Sequence, residues 1–384
     1  MSRLVEDPVL LVLCDRVRNV DLRYASHLSL ARTNGFRPVL VNWRDVRVAP
    51  ERTELTNALE VTSDLRLRRL PDASPIAPAV VLHRKLLWNR SSRLIERLAE
   101  AHPHALLSYG APWGVISRKW TGETLFREGE RDGITVSRPS TYLVPKADIA
   151  RKLRDVGHRN PLIFKPSTGS QCHGIWLSTP RSFNTVAQRL RRSGRDAYVA
   201  QDLLPNPVLY DGKKVDLRLY VLVTSFRPLR LKLYREGVVR IAARRFSEAE
   251  GDPALAELTG CCYRRRRRQH IENISVAALL ERLKAEGFPT ADFWSDAEQL
   301  LQNAFRCLAA FPGFARVPYL ERRYYLGGVD VLLADCGDVL RPLFIETNYV
   351  PQLNGWGREV DHSLRETHRE WLRDLRLQAL ERAA

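Results

Sequence analysis

Residues 324–330 read Tyr-Tyr-Leu-Gly-Gly-Val-Asp, and residues 343–348 read Leu-Phe-Ile-Glu-Thr-Asn. Apolar side chains recur through both runs, which predicts two buried β-strands. Side chains two apart on a strand point to one face, so Glu346 and Asn348 share theirs. Together with Asp330 they set three oxygen-bearing side chains where a strand core should be apolar. A carboxylate buried without a partner is very costly, so either a metal or a base stands beside these groups or the strands are misassigned. Hard cations such as Mg²⁺ take such oxygens, often one or two carboxylates completed by substrate phosphates. The metal reading makes the chain a candidate nucleotide-handling enzyme.

A second charged strand lies upstream in Asp211-Gly-Lys-Lys-Val-Asp-Leu-Arg-Leu-Tyr-Val-Leu-Val-Thr-Ser225. Lys214, Asp216, Arg218 and Tyr220 fall at spacing two on one face, and Val215, Leu217, Leu219 and Val221 take the other. Such a face is a poor solvent edge and a good platform for polyphosphate and ribose. Its plainer reading is a solvated charged surface. Arg240, on a strand following a hairpin turned at Glu236-Gly237, would join the platform.

Further upstream, Lys165-Pro-Ser-Thr-Gly-Ser-Gln-Cys-His-Gly-Ile175 reads as a strand, a small-residue turn and a strand. Glycine and small residues let backbone N–H groups approach phosphate oxygens, and Lys165 would add a point charge. The same pattern also suits an ordinary glycine-turned β-hairpin. No GK[ST] follows, so this is not a Walker A loop.

The first hundred residues alternate in the manner of a parallel α/β sheet. Val9–Cys14 predicts a strand, Tyr24–Gly35 a helix, Arg37–Trp43 a strand, Ser91–Ala101 a helix and Ala105–Ser108 a strand. Glycine, proline and aromatics at Tyr109–Trp113 mark a boundary. Helices are expected near Lys119–Arg131, Ala147–Asp155 and Ser182–Arg192, with strands at Leu162–Lys165 and Gly174–Ser178. Strands then dominate: Tyr198–Gln201, Leu217–Ser225, Leu231–Arg235 and Val238–Phe246. Helices near Val276–Glu286 and Asp296–Phe311 precede the opening pair of strands, and Asp361–Leu380 reads as a charged amphipathic helix. The expected division is 1–110, 111–196 and 197–384.

A chain of 384 residues can bury a large core in two or three lobes. No apolar window is long enough for a membrane helix, and the acidic N-terminus lacks the pattern of a signal peptide. The six cysteines show no CxxC spacing, and the adjacent Cys261-Cys262 reads as two ordinary thiols, which suits a reducing, cytoplasmic setting. The net charge of +17 favours polyanionic partners. The run Arg264–Arg268 would draw an acidic tail or lie in a solvated loop; no interleaved aromatics or nucleic-acid motif accompany it, which disfavours a nucleic-acid binder.

Residues 160–355 resemble the tubulin–tyrosine ligase-like family of the ATP-grasp superfamily. The pieces that carry the resemblance are Lys165-Pro with Gly169-Ser-Gln171 and Gly174-Ile, Gln201-Asp-Leu-Leu-Pro-Asn-Pro207 and Gly212-Lys-Lys-Val-Asp-Leu-Arg218. Thr224-Ser225, Tyr234-Arg-Glu-Gly237 with Arg240, Gly328-Val-Asp330 and Glu346-Thr-Asn348 with Pro351 complete the set. The resemblance implies an α/β ATP-grasp fold with an N-terminal Rossmann-like lobe before the ATP-grasp lobes. It implies ATP and Mg²⁺, in a two-ion site, held by Asp330, Glu346 and Asn348. Lys119 and Lys165, with the loop at Gly169, Gln171 and Gly174, would contact phosphates; Gln201 and the backbone near Leu203 would hold adenine. Asp216 would bind ribose, and Lys214 and Arg218 would face phosphates. Arg240 would stabilise the γ-phosphate or an acyl-phosphate. The implied reaction is ADP-forming amide synthesis between a free amino acid and a carboxylate of an acidic protein or peptide.

The sequence departs from that family at two places: Asp202 stands where a lysine follows the hinge glutamine, and Leu258-Thr259-Gly260 ends in glycine rather than asparagine. Nucleotide and metal residues therefore carry over more completely than acceptor residues. A ligase acting on a small molecule or short peptide shares the same site logic. A non-catalytic polyanion-binding protein is the reading from another class; it would not need to keep all six of Lys165, Asp216, Arg218, Asp330, Glu346 and Asn348.

Overall fold

The structure is a computed structural model that describes residues 7–14, 22–49, 52–64, 66–83, 92–108, 111–149, 151, 160–168, 172–246, 256–259, 272–349 and 356–383. Its N-terminal part builds from strand β1 (Val9–Cys14), helix α1 (Leu22–Thr33) and strand β2 (Arg37–Asn42). Short strands follow: β3 (Val46–Ala49), β4 (Arg52–Leu55), β5 (Leu59–Val61), β6 (Leu67–Arg69) and β7 (Ser74–Ile76). Then come β8 (Pro78–His83), α2 (Ser92–Ala101), β9 (Leu106–Ser108), α3 (Ala111–Ile116) and α4 (Lys119–Arg131). Strands β2, β1, β8 and β9 lie side by side and parallel, as the alternating pattern predicts for β1, β2 and β9, with β8 a further strand that the sequence pattern does not mark.

A separate antiparallel sheet in the order β10-β13-β11-β12 forms from β10 (Thr141–Pro145), β11 (Leu162–Pro166), β12 (Trp176–Ser178) and β13 (Ala197–Asp202). Helix α5 (Phe183–Arg192) packs on one face through Phe183, Val186, Ala187 and Leu190, against Leu162, Phe164, Tyr198 and Ala200. Alternation along the strands then turns Ile163, Lys165, Val199 and Gln201 to the other face. Strand β13 is an inner strand of this sheet, although the sequence division assigns it to the last segment. Local pattern marks a strand but does not name its partner.

The remaining chain runs β14 (Leu209–Tyr210), β15 (Lys213–Phe226), β16 (Leu229–Ile241), β17 (Asn273–Ser275), α6 (Val276–Ala285), α7 (Phe293–Ala309), β18 (Arg323–Asp335), β19 (Leu340–Tyr349) and α8 (Arg358–Ala383). Strands β16, β15 and β18 are antiparallel neighbours, and β18 also pairs with β19. At its start β18 lies parallel to β9, with Arg323 opposite Leu107 and Tyr324 opposite Ser108. That short pairing joins the first and last parts of the chain in one twelve-stranded sheet. The buried arginines beside it reinforce the joint: Arg322 donates to the carbonyls of His102 and Ala99 at the end of α2, each at 3.0 Å.

The strand pair expected to turn at Glu236-Gly237 turns elsewhere. The hairpin closes at Arg227-Pro228, and Glu236-Gly237 sits within β16, where the register against β15 shifts. The two extra residues at that bulge, Arg235 and Glu236, turn the Glu236 carboxylate to the start of α6, where it accepts from the N–H groups of Val276 (3.0 Å) and Ala277 (3.4 Å). The expected helix at Ala147–Asp155 lies mostly outside the described residues; 146–148 form a single 3-10 turn. Helix α8 buries Val360, Leu364, Trp371, Leu372, Leu375 and Ala379, the spacing of one helical face, onto Tyr220, Leu222, Tyr234 and Val238.

Candidate active site

The charged face of β15 is fixed by its two neighbours. Asp216 lies opposite Arg240 of β16, Arg218 lies opposite Asp330 of β18, and Asp330 lies opposite Glu346 of β19. Side chains so paired have Cβ atoms about 5 Å apart, close enough for direct contact. Both oxygens of Asp330 accept from Arg218, and Arg240 reaches Asp330 Oδ2 at 3.0 Å and Asp216 Oδ1 at 2.5 Å. Burial would raise the Asp330 pKa, but the two guanidinium groups outweigh it and hold the carboxyl at about 2. Burial lowers and the carboxylates raise the pKa of Arg240, and the carboxylates prevail by a wide margin. The polar face has a limit: Tyr220 is fully buried in the apolar cluster under α8 and is not part of the ionic row.

The facing wall comes from the four-stranded sheet and α4. Lys165 Nζ donates to Gln201 Oε1 at 2.6 Å, and Gln201 Nε2 donates to Thr141 Oγ1 at 3.0 Å. Lys119, at the start of α4, pairs with Glu346 Oε2 at 2.8 Å. Desolvation alone would lower Lys119 and raise Glu346; their mutual attraction reverses both, so Lys119 is raised and Glu346 lowered. Lys165 has a neutral amide as its direct partner. Burial lowers it to about 8, with Lys119 and Lys214 pushing the same way and Glu346 opposing. Between the walls lies a partly open cleft lined by Lys119, Lys165, Gln201, Ile345, Glu346 and Thr347, among others.

Several anticipated residues thus converge: Lys119, Lys165, Gln201 and Glu346 line the cleft, and Lys214, Asp216, Arg218, Arg240 and Asp330 form the ionic row behind it. Gly174 has φ of 73°, a left-handed value that a side chain rarely adopts, and a Cβ there would lie 3.0 Å from Pro166. Gly169, Gln171, Gly260, Pro351 and Arg264–Arg268 lie outside the described residues. The N–H of Leu203 donates to the Pro161 carbonyl at 3.0 Å, so that donor is already engaged. Sequence reasoning did not find Thr141, Glu257 or Tyr325. Glu257 pairs with Lys214, and Thr259 donates to Asp216 Oδ2. The stretch described around Glu257, residues 256–259, has no periodicity that could single it out. Tyr325 crosses over Gly327, where a Cβ would lie 2.2 Å from its ring, to bond Thr347 Oγ1 at 2.7 Å and the Asn348 carbonyl at 3.1 Å.

The donor set fits a hard divalent cation in kind. Asp330 and Glu346 face each other, and Asn348 lies one step along β19 on the same strand face, opposite Gly328. Its buried Nδ2 has no hydrogen-bond partner among the described residues. Among the described residues no three of His, Cys, Asp and Glu cluster as a ready-made cage. Two carboxylates and an amide need further oxygens, which is the pattern of Mg²⁺ sites completed by phosphates. Until then Lys119, Arg218 and Arg240 balance the carboxylates.

These features define an ATP-grasp fold: a cleft between an antiparallel sheet bearing a buried lysine and a second sheet bearing paired carboxylates. The model of the tubulin-tyrosine ligase family matches residues 128–368, more than half of the chain, and the chain belongs to that family. Lys119 lies just before the matched stretch. The chain is 25% identical to tubulin polyglutamylase TTLL7 of Xenopus tropicalis over 313 residues, which is 73% of this chain and 32% of that one. It is 37% identical to the probable tubulin polyglutamylase ttll-9 of Caenorhabditis elegans over 139 residues, 34% of this chain and 33% of that one. Against tubulin polyglutamylase TTLL5 of Mus musculus it is 27% identical over 234 residues, 56% of this chain and 17% of that one. It spans about a third or less of the length of these curated relatives.

Proposed function

We propose that this chain is an ATP- and Mg²⁺-dependent ligase that joins an amino acid to a carboxylate of a protein or peptide, forming an amide and releasing ADP and phosphate. The observation that carries the reading is Asp330, gripped by Arg218 and Arg240 and facing the Glu346–Lys119 pair, within the stretch that matches the family. Lys165, whose direct partner is uncharged, is free in charge to meet phosphate oxygens, and Gln201 holds it in place. Asp216 is set for ribose hydroxyls, and Gln201 with the Leu203 region for adenine. Asp330, Glu346 and Asn348 would hold Mg²⁺, which would supply neutralisation of phosphate charge.

The substrate carboxylate attacks the γ-phosphorus, the bond to the β-phosphate oxygen breaks, and ADP departs. The amine then attacks the acyl carbon of the acyl-phosphate, loses a proton and expels phosphate. Arg218 and Arg240 lie where negative charge accumulates, a role for positioned cations rather than a covalent nucleophile. Basic charge of +17 supports an acidic protein acceptor, and the names of the relatives suggest glutamate as donor and tubulin as the acceptor to try first. Cys14, Cys172, Cys307 and Cys336 are thiols rather than disulfides, which supports a reducing, cytoplasmic setting. Among the described residues no helix is long and apolar enough to cross a membrane.

The test is ADP release from Mg-ATP with each of the twenty amino acids, with and without an acidic peptide pool. ADP that appears with one amino acid and rises with the peptides is the expected result. Glu346→Gln should lower that release at least about a hundredfold. Undiminished release in this variant would defeat the metal assignment, and no release under any condition would defeat the ligase.

A further inference from the structure

Five cations meet at this site, and their partners differ. Lys119 is matched by Glu346, Arg218 and Arg240 by Asp330 and Asp216, and Lys214 by Glu257, while the direct partner of Lys165 is the neutral Gln201. The Glu257–Lys214 pair is almost fully buried: the two side chains are 6% and 5% exposed. Glu257 is held there from both sides, since Ala256 is fully buried and Leu258 nearly so. One residue further, Thr259 bonds Asp216. A fixed carboxylate therefore stands against the lysine that lies two residues from Asp216 on the same face of β15.

We infer that Glu257 is a positioning residue that withholds the charge of Lys214 from the nucleotide, leaving Lys165, on the facing wall, as the lysine whose charge the phosphates engage. This rests on the nucleotide reading given above. Two charges taken out of water together satisfy each other, and an incoming triphosphate gains little from a lysine already neutralised at contact distance. Removing the carboxylate has two linked effects. The apo protein is left with a buried ammonium lacking its counter-charge and loses stability. A bound triphosphate then supplies that counter-charge and binds more tightly than before. A carboxylate that merely braced the segment at 256–259 would produce the first effect without the second.

The experiment measures the dissociation constant of a non-hydrolysable ATP analogue with Mg²⁺, together with apo melting temperature, in the natural chain, Glu257→Gln, Lys214→Met and the double variant. Glu257→Gln should lower the apo melting temperature and tighten nucleotide binding about tenfold. Lys214→Met alone should change binding by less than about threefold, and in the double variant it should cancel the gain made by Glu257→Gln. Unchanged or weaker binding by Glu257→Gln overturns the inference. If Glu257→Gln does not fold, Lys214→Met still decides, because a loss of tenfold or more would show that the charge of Lys214 already reaches the phosphates. Absence of binding in every variant defeats the nucleotide reading itself, whereas binding that is indifferent to Glu257 defeats the inference alone.

Discussion

The two faces of strand β15 hold the sheet together by opposite means. One face sets Val215, Leu217, Leu219, Val221 and Val223 into an apolar core with α6 and α7. The other sets Lys214 into a buried pair with Glu257, and Asp216 and Arg218 into a buried chain of ion pairs that runs through Arg240 and Asp330. Both faces are largely shielded from water, yet they carry different obligations. An apolar side chain asks only for volume and has many acceptable neighbours. A buried charge asks for one partner at one distance and is costly when the partner is gone. The first face makes the fold, and the second makes the fold useful at the expense of tolerance.

Replacing one group on each face separates these obligations. Asp330→Asn leaves two buried guanidinium groups without their shared carboxylate, and should cost about 3–5 kcal/mol of stability together with nearly all ADP release. Leu219→Ala on the apolar face should cost a comparable amount, about 2–5 kcal/mol, read by urea unfolding, but activity per folded molecule should persist. Loss of turnover by folded Leu219→Ala would break the contrast between the faces.

Proton affinity sharpens it further. Lys165, lowered to about 8 by burial, should lose its charge as pH rises through that value, so nucleotide affinity should fall several-fold between pH 7 and 9. The contribution of Lys165 to folding has the opposite sign. Between pH about 8 and 10.5 the unfolded chain binds the extra proton, so this contribution to stability rises with pH while affinity falls. Affinity that stays flat over this range would remove Lys165 from the phosphates. The smallest effect belongs to the support of Asn348: Tyr325→Phe loses the bonds to Thr347 and the Asn348 carbonyl and should cost about 1 kcal/mol.

Much of this was legible locally. Alternation at spacing two identified the two faces of β15, and the carboxylates of residues 330 and 346 stood out because an apolar strand has no use for them. Glu236-Gly237 misled, because a glycine inside a strand signals a turn and a bulge alike; the contacts of Glu236 with α6 decide between them. Glu257 and Thr141 carried no pattern, since each acts through a partner far away in the chain.

The sequence by itself marked many of the strands and helices, though not the strands between residues 46 and 83 or at 141–145. It also showed that two strands bear buried charge and which family the chain resembles. Those properties follow from periodicity and from the residue types that a buried strand refuses. Tertiary structure alone decided that β13 joins the four-stranded sheet, that β9 pairs with β18 to make one sheet of the first and last parts, and which acid neutralises which base. Pairing depends on distances set by the whole fold. A charge announces in sequence only that it needs a partner, and the fold supplies the name.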